Sequence, residues 1–309
     1  MIEFTSLTSI GDIGPTAVAL GNFDGIHRGH HALISRTAAY AQAHGLKTAV
    51  FTFSNHPRNF IAGKQVVKSL LTPTEKKNII KNLGADYLFN LPFDETCTGM
   101  EPEVFIRDLL LGHFKAEAVF CGFNFHFGKK AAGNTLVLEQ AAEREGFKLV
   151  VLEPYIVDDV LVSSTEVRKA ISAGEMGLCR KYLGRPYALT GEAVPGNKLG
   201  RKLGFATANV VLPEDMMKPA YAIYVTGAVL EDGIERPAIS NVGVRPTIGD
   251  HKELIETHIF DYDGVLYGKR IRTVFYERIR YEMKFDGVDA MKAQVERDIL
   301  TARSWWAKR

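Results

Sequence analysis

Two stretches of this 309-residue chain combine residue types and spacings that suit phosphate chemistry. The first, GNFDGIHRGH at residues 21–30, follows a strand-like run and opens a helix-like one. Gly21, Gly25 and Gly29 let the backbone turn sharply and approach a ligand, and the N–H groups at a helix start favour an anion there. Phe23 and Asp24 lie in the same turn and are expected at the ligand with Gly21. His27 and His30, three positions apart, can face one side of the turn and donate to phosphate oxygens as charge builds during transfer. A Gly-rich turn or a pair of histidines has an ordinary structural reading. H-x-G-H at a strand-to-helix junction is more restrictive, because it joins the turn, the helix dipole and two donors.

Two further segments can complete such a site. In VSSTEVRKAI, residues 162–171, Ser163 or Ser164 can cap a helix with Thr165 in its first turn and Arg168 one turn later, which places hydroxyl and guanidinium donors on one patch. Without the histidines this would read as a capped surface helix. In CGFNFHFGKKAAGN, residues 121–134, Asn124 offers a neutral polar contact. Phe123, Phe125 and Phe127 alternate as on a strand and read as core, and Lys129 and Lys130 read as a solvated loop edge.

The second stretch is GEAVPGNKLGRKLGFATAN, residues 191–209. Gly196, Gly200 and Gly204 can fold a loop around phosphates, Lys198, Arg201 and Lys202 supply charge, and Thr207 and Asn209 offer oxygen ligands suited to Mg²⁺. The order of residues is not that of a Walker loop. Downstream, Glu256 and His258 stand two apart on a strand-like segment and so share a face.

These residues need scaffolds of two kinds. In the first half, Ala17–Leu20, Thr48–Phe53, Asp86–Asn90, Ala116–Cys121 and Lys148–Leu152 are strand-like. They alternate with helical patterns at Gly29–Ala43, at Glu101–Leu111 and after Thr72–Pro73, where Thr72 is the expected N-cap and Pro73 the first helical residue. Such alternation predicts a parallel sheet covered on both faces. From Gly184 the chain becomes β-rich, with turn signals at Pro195-Gly196, Asp232-Gly233, Arg245-Pro246 and Asp263-Gly264. That predicts a barrel or sandwich followed by a helix over Val288–Trp306. The expected domains are residues 1–184 and 185–309.

Composition narrows the partners. A hydrophobic fraction of 46% with scattered Gly and Pro fits a globular chain rather than a disordered or fibrous one. Residues 1–184 carry 19 Lys+Arg against 19 Asp+Glu, and residues 185–309 carry 19 against 17, so no basic half predicts a nucleic-acid partner. No apolar run approaches a bilayer span, and the first ten residues do not read as a secretory signal. Cys97, Cys121 and Cys179 show no metal or disulfide spacing and are expected in the core. A cytoplasmic protein with no membrane partner is expected.

H-x-G-H resembles the signature of nucleotidyltransferases that activate groups with ATP. GNFDGIHRGH, FSNHPRNF at residues 53–60, GFNFHFG and SSTEVR together resemble the adenylyltransferase half of the prokaryotic bifunctional riboflavin kinase/FMN adenylyltransferase family. GFATAN and ETHIF resemble its flavokinase half. The resemblance implies a Rossmann-like α/β domain with a parallel sheet, then an antiparallel β-barrel with a terminal helix. It also implies that His27, His30, Asn124, Ser164, Thr165 and Arg168 bind ATP or stabilise transfer, that Thr207 and Asn209 hold MgATP, and that Glu256 is the catalytic base. Riboflavin, FMN, FAD and ATP are the implied ligands, with Mg²⁺ arriving on ATP. The chain departs from the family's common pattern at Asn124, often Asp, at Ala206, commonly Pro, and at Ala222-Ile223, commonly Gly-Val. Loss of the proline removes a fixed φ, so a weakened kinase is one alternative and a flavin carrier without turnover another. The division of residue types fits two reactions: a neutral hydroxyl nucleophile benefits from a base, whereas a phosphate nucleophile needs only charge neutralisation and alignment.

Overall fold

The computed structural model describes residues 1–195, 207–247 and 250–309, with side chains except at 245–247 and 250–252. The chain divides into two compact units, Met1–Ser164 and Thr165–Arg309.

In the first unit β1 (Ile2–Phe4), β2 (Thr16–Leu20), β3 (Lys47–Phe53), β4 (Tyr87–Leu91), β5 (Ala116–Gly122) and β6 (Lys148–Leu152) form one sheet in the order β1-β4-β3-β2-β5-β6. Every pairing is parallel. All five residues of β2 are buried, as a strand covered on both faces requires. Alternate side chains enter two cores. Val18, Leu20, Phe51 and Phe89 pack with Phe114 and Leu138, while Ala17, Ala19, Val50 and Leu88 pack with Leu33 and Ile34 of α1 (Arg28–His44).

The helices α2 (Pro57–Ala62), α3 (Pro73–Asn82), α4 (Glu95–Gly99), α5 (Pro102–Val104) and α6 (Thr135–Glu145) connect the strands. Thr72 caps α3 through a full capping box with Glu75. The helix expected over Glu101–Leu111 begins as α5 but continues as a π-helix, Phe105–His113, a rare form associated with functional sites. β1 was not expected: it is a three-residue edge strand, too short for a periodic signal. A short antiparallel pair, β7 (Ile156–Val157) and β8 (Val160–Leu161), closes the unit. The neighbours of β2 lead in opposite directions along the sheet, which makes the carboxyl ends of β2 and β5 the switch point where α/β sheets bind ligands.

The second unit opens with α7 (Ser164–Ser172), whose first residue ends the first unit, and α8 (Met176–Leu183), capped by Gly184 at φ 76°. A closed antiparallel barrel follows. Its strands β9 (Tyr187–Val194), β10 (Ala208–Val211), β11 (Ala222–Val229), β12 (Glu235–Thr247), β13 (Asp250–Ile259) and β14 (Arg270–Tyr281) run in the order β10-β13-β12-β11-β14-β9, so of the two β architectures left open the barrel is present. Arg245-Pro246 is not a turn but lies near the end of β12, where a proline is tolerated.

On the outer face Ala188, Val225, Ile239 and Val274 pack on Ile299 and Ala302 of α9 (Val288–Trp306). The alternate residues turn inward, and there Thr226, Ser240 and Thr257 share hydroxyl hydrogen bonds of 2.8 and 2.9 Å. Arg280 holds Asp298 of α9 with bonds from Nε and Nη2, the shortest 2.7 Å. Asp298 is only 3% exposed, and removing one partner of such a pair costs about 3–5 kcal/mol.

Candidate active sites

The turn between β2 and α1 is held in an unusual shape. Phe23 and Ile26 have φ of 45° and 40°, in the left-handed region that non-glycine residues avoid, and both are fully buried. Gly25 between them has φ 78°, and a Cβ there would meet Leu70 Cδ1 at 2.7 Å. His27 is the N-cap of α1: its Nδ1 accepts from the backbone N–H of His30 at 3.4 Å. In the neutral ring the proton therefore sits on Nε2, which makes that nitrogen a donor. The His27 and His30 rings stack with centroids 3.7 Å apart and 20° between planes. Gly29 makes room for this, since a Cβ there would lie 3.2 Å from His27 Cε1. Nδ1 of His30 is buried with no hydrogen-bond partner among the described residues. Burial, then His27 and then Lys76, hold its imidazolium form well below the ordinary value of 6.5.

This turn walls a cavity of about 1120 Å³ at the switch point. Gly21, Asn22, His27, His30, Ser163 and Ser164 line it on one side and Asn124 follows β5. The rest mixes aliphatic side chains with a band of phenylalanines. Rings contact one another in an unbroken run, Phe60–Phe93–Phe53–Phe51–Phe105–Phe127–Phe125, with centroids 4.8 to 5.8 Å apart.

Phe125 and Phe127, expected to be core only, both pack into the core and line the cavity. Lys130 lines it too, whereas Lys129 pairs with Glu101 at 2.9 Å. Cys97 corrects the expectation of three core thiols: it is half-buried and on the cavity wall, while Cys121 and Cys179 are buried. Phe23 and Asp24 stand behind the lining rather than in it. Phe23 packs edge-on to His30, Asp24 Oδ1 accepts from the Leu70 N–H at 3.2 Å, and the Asp24 carbonyl accepts from Ser164 Oγ at 2.7 Å.

In the second unit three polar residues form a row across three strands. Asn209 of β10 is the ladder partner of Glu256 of β13, whose other partner is Asn241 of β12. Asn209 is buried and Asn241 Oδ1 is buried without a partner among the described residues. Thr207 directly precedes β10, and His258 follows Glu256 on the same face. Asn241 escaped the sequence reading because it lies 15 positions from Glu256, and only the register brings it beside that residue. Gly196 and Lys202, with Gly200, Gly204, Lys198, Arg201 and Ala206, lie outside the described residues.

Residues 11–166 match the family model described as FAD synthetase, and residues 183–306 the one described as riboflavin kinase. A bifunctional riboflavin kinase/FMN adenylyltransferase of Haemophilus influenzae is 33% identical over 94% of each chain. That of Escherichia coli K12 is 34% identical over 94% of this chain and 92% of the relative. The chain belongs to the bifunctional riboflavin kinase/FMN adenylyltransferase family.

A crystal structure described as a macrolide-efflux protein of Streptococcus pneumoniae has a TM-score of 0.89 at 28% identity, covering 98% of this chain and 99% of that one. The efflux description belongs to that protein; no helix among the described residues here is long and apolar enough to cross a membrane. Within the riboflavin kinase/FMN adenylyltransferase family frame, the FAD synthetase match covers strands β2 to β6 of the parallel sheet and the cavity, and the riboflavin kinase match covers the barrel and the Asn209–Glu256–Asn241 row. Thr165 and Arg168 stand on α7, in the segment that separates the compact-unit boundary at Ser164 from the composition change at Gly184.

Proposed function

We propose that the chain phosphorylates riboflavin with ATP to give FMN and ADP, and adenylylates FMN with a second ATP to give FAD and pyrophosphate. The observation that carries this reading is the first-unit cavity, which joins a stacked histidine pair at a helix start to an aromatic wall. Its volume of about 1120 Å³ exceeds the ~300–1,000 Å³ usual for one drug-sized ligand, as two substrates bound together require. The aromatic rings suit a flavin face and the His27–His30 turn suits nucleotide phosphates.

For adenylyl transfer the attacking group is the FMN phosphate, already an anion, so no base is needed. An oxygen of that phosphate bonds to the α-phosphorus of ATP, the bond to the β-phosphate breaks, and pyrophosphate leaves. His27 Nε2–H and His30 face the phosphates, Ser164 fixes the turn through Asp24, and Asn124 borders the nucleotide. Nucleotide roles for Gly21, Thr165 and Arg168 rest on the family resemblance. The functional division is accordingly placed at Gly184, with residues 1–184 serving adenylyl transfer and 185–309 the kinase step.

For the kinase step Glu256 takes the proton of the riboflavin 5′-hydroxyl as its oxygen attacks the γ-phosphorus, and ADP leaves. Thr207 and Asn209 present neutral oxygen donors, the ligand chemistry that a hard divalent ion on ATP accepts. Gly196 and Lys202 are assigned to the phosphates from the sequence alone. A divalent ion, proposed to be Mg²⁺, would neutralise phosphate charge in both steps. A cytoplasmic location fits the three free thiols.

Incubation of the purified chain with riboflavin, ATP and Mg²⁺, followed by separation of the flavins, tests the scheme. FMN should appear first and FAD with pyrophosphate second. Absence of FMN from riboflavin, or of FAD from supplied FMN, overturns the corresponding half.

A further inference from the structure

We propose that Lys76 is a positioning residue for adenylyl transfer, clamping the turn that carries His27 and His30 onto the carboxyl end of β3. The inference rests on the adenylyl-transfer reading of the first unit.

Lys76 Nζ donates to the Asn22 carbonyl at 3.0 Å, to Thr52 Oγ1 at 2.7 Å and to the Phe53 carbonyl at 3.2 Å. Thr52 Oγ1 itself donates to the Asn22 carbonyl at 2.9 Å. A lysine ammonium has three N–H bonds, and three oxygens receive them. A neutral amine would leave one oxygen facing a lone pair, so the network fits the cation. Burial draws the amine down to about 8, opposed by Asp24, which leaves it charged at neutral pH. With its donors taken, Lys76 acts through the turn and through its field rather than by touching a phosphate.

Apart from these three bonds, the position disfavours a lysine. Position 76 is in the first turn of α3, where a cation opposes the helix dipole, and its ammonium is taken out of water. Residues that break local rules in this way gather where a site must be held. The turn in question needs holding, because Phe23 and Ile26 sit in left-handed conformations costing about 1–3 kcal/mol each.

The clamp bonds to the carbonyl of Asn22, a cavity-lining residue at the mouth of that turn. The field of Lys76 has a second effect. The groups acting on His30 are His27, the N-cap of α1, and Lys76 from α3, with Asp24 of the turn acting on Lys76. Together with burial, the fields of His27 and Lys76 disfavour the imidazolium form of His30. Two neutral rings can stack at 3.7 Å, whereas two imidazolium ions would repel, so the pair is in place before a nucleotide arrives.

The test uses the full chain with Lys76→Met, Lys76→Arg and Thr52→Val. FAD formation from FMN and ATP, FMN formation from riboflavin, FMN binding by flavin fluorescence and the His30 titration by NMR are measured. Lys76→Met should lower kcat for FAD formation about 10²-fold with KM for FMN little changed, leave riboflavin phosphorylation intact, and move the His30 midpoint up. Lys76→Arg should keep that midpoint low while restoring kcat only in part, since a planar guanidinium cannot meet three converging oxygens. Thr52→Val, isosteric and without the hydroxyl, should lower kcat by about two- to tenfold with the His30 midpoint unmoved.

Wild-type kcat in Lys76→Met, or an unmoved His30 midpoint there, overturns the proposal. If Lys76→Met fails to bind FMN, Thr52→Val decides, and wild-type kcat in that variant overturns it. A wild-type chain that makes no FAD from FMN would instead overturn the underlying reading.

Discussion

Asn209 and Glu256 are direct ladder partners, on adjacent strands of the barrel. A strand register that pairs a buried amide with a carboxylate sets two polar groups about 5 Å apart on one face. Asn241 flanks the same glutamate from β12. A carboxylate flanked by two strand neighbours suits the base role proposed for Glu256, since in-line attack by a hydroxyl demands a positioned base.

Glu256→Gln keeps the size and hydrogen bonding of this group and removes its basicity. FMN formation from riboflavin should fall about 10²–10⁴-fold, while conversion of supplied FMN to FAD continues at the wild-type rate. His30→Ala should do the reverse. Separation of the three flavins over time checks both variants. Loss of both activities in either folded variant would show that the two reactions do not use separate sites.

Gly29→Ala separates stability from catalysis. Alanine is favoured over glycine inside a helix by about 1 kcal/mol, so α1 itself should gain. The added methyl would meet His27 Cε1 at 3.2 Å, His27 Nδ1 at 3.3 Å and Tyr155 Cβ at 3.4 Å. Those contacts push the imidazole off its stack with His30. The expected outcome is an unchanged or raised Tm with FAD formation down about 10- to 100-fold, read by thermal melting and steady-state kinetics. A variant as active as wild type would remove the stacked geometry from the mechanism.

Much of this arrangement is written locally. Strands such as Thr16–Leu20, the capping of α3 by Thr72 and the terminal helix Val288–Trp306 follow from short-range rules, and each is present in the structure. His27 and His30 were legible because a turn, a helix start and two donors occupy ten consecutive residues.

Lys76, Asn241 and Cys97 were not legible, for one physical reason: each gains its meaning from a distant partner. Lys76 meets Asn22 across 54 positions, and Asn241 meets Glu256 through a strand register. Cys97 reaches the cavity wall because α4 is a short exposed turn rather than core. The aromatic run mixes residues from several segments, and alternation along one strand could not show that Phe125 and Phe127 serve the core and the cavity alike.

The three thiols offer a probe of that aromatic wall. Burial pushes Cys121 and Cys179 up to about 12, so neither forms a reactive thiolate in the folded chain at mildly alkaline pH. Cys97 is also raised by burial, but it is half-buried and borders the cavity, with Sγ 3.6 Å from the Pro92 carbonyl. A disulfide reagent should therefore modify Cys97 slowly in the native chain and reach the other two only after denaturation. FMN, if seated against the aromatic wall, covers Cys97 and should slow that reaction, whereas riboflavin phosphorylation should proceed normally in the labelled chain if, as proposed, the kinase step uses the barrel. Mass spectrometry of digests made with and without FMN reads the result. Equal labelling of Cys97 under saturating FMN would move the flavin away from this wall, and early labelling of Cys121 would contradict the packing of β5.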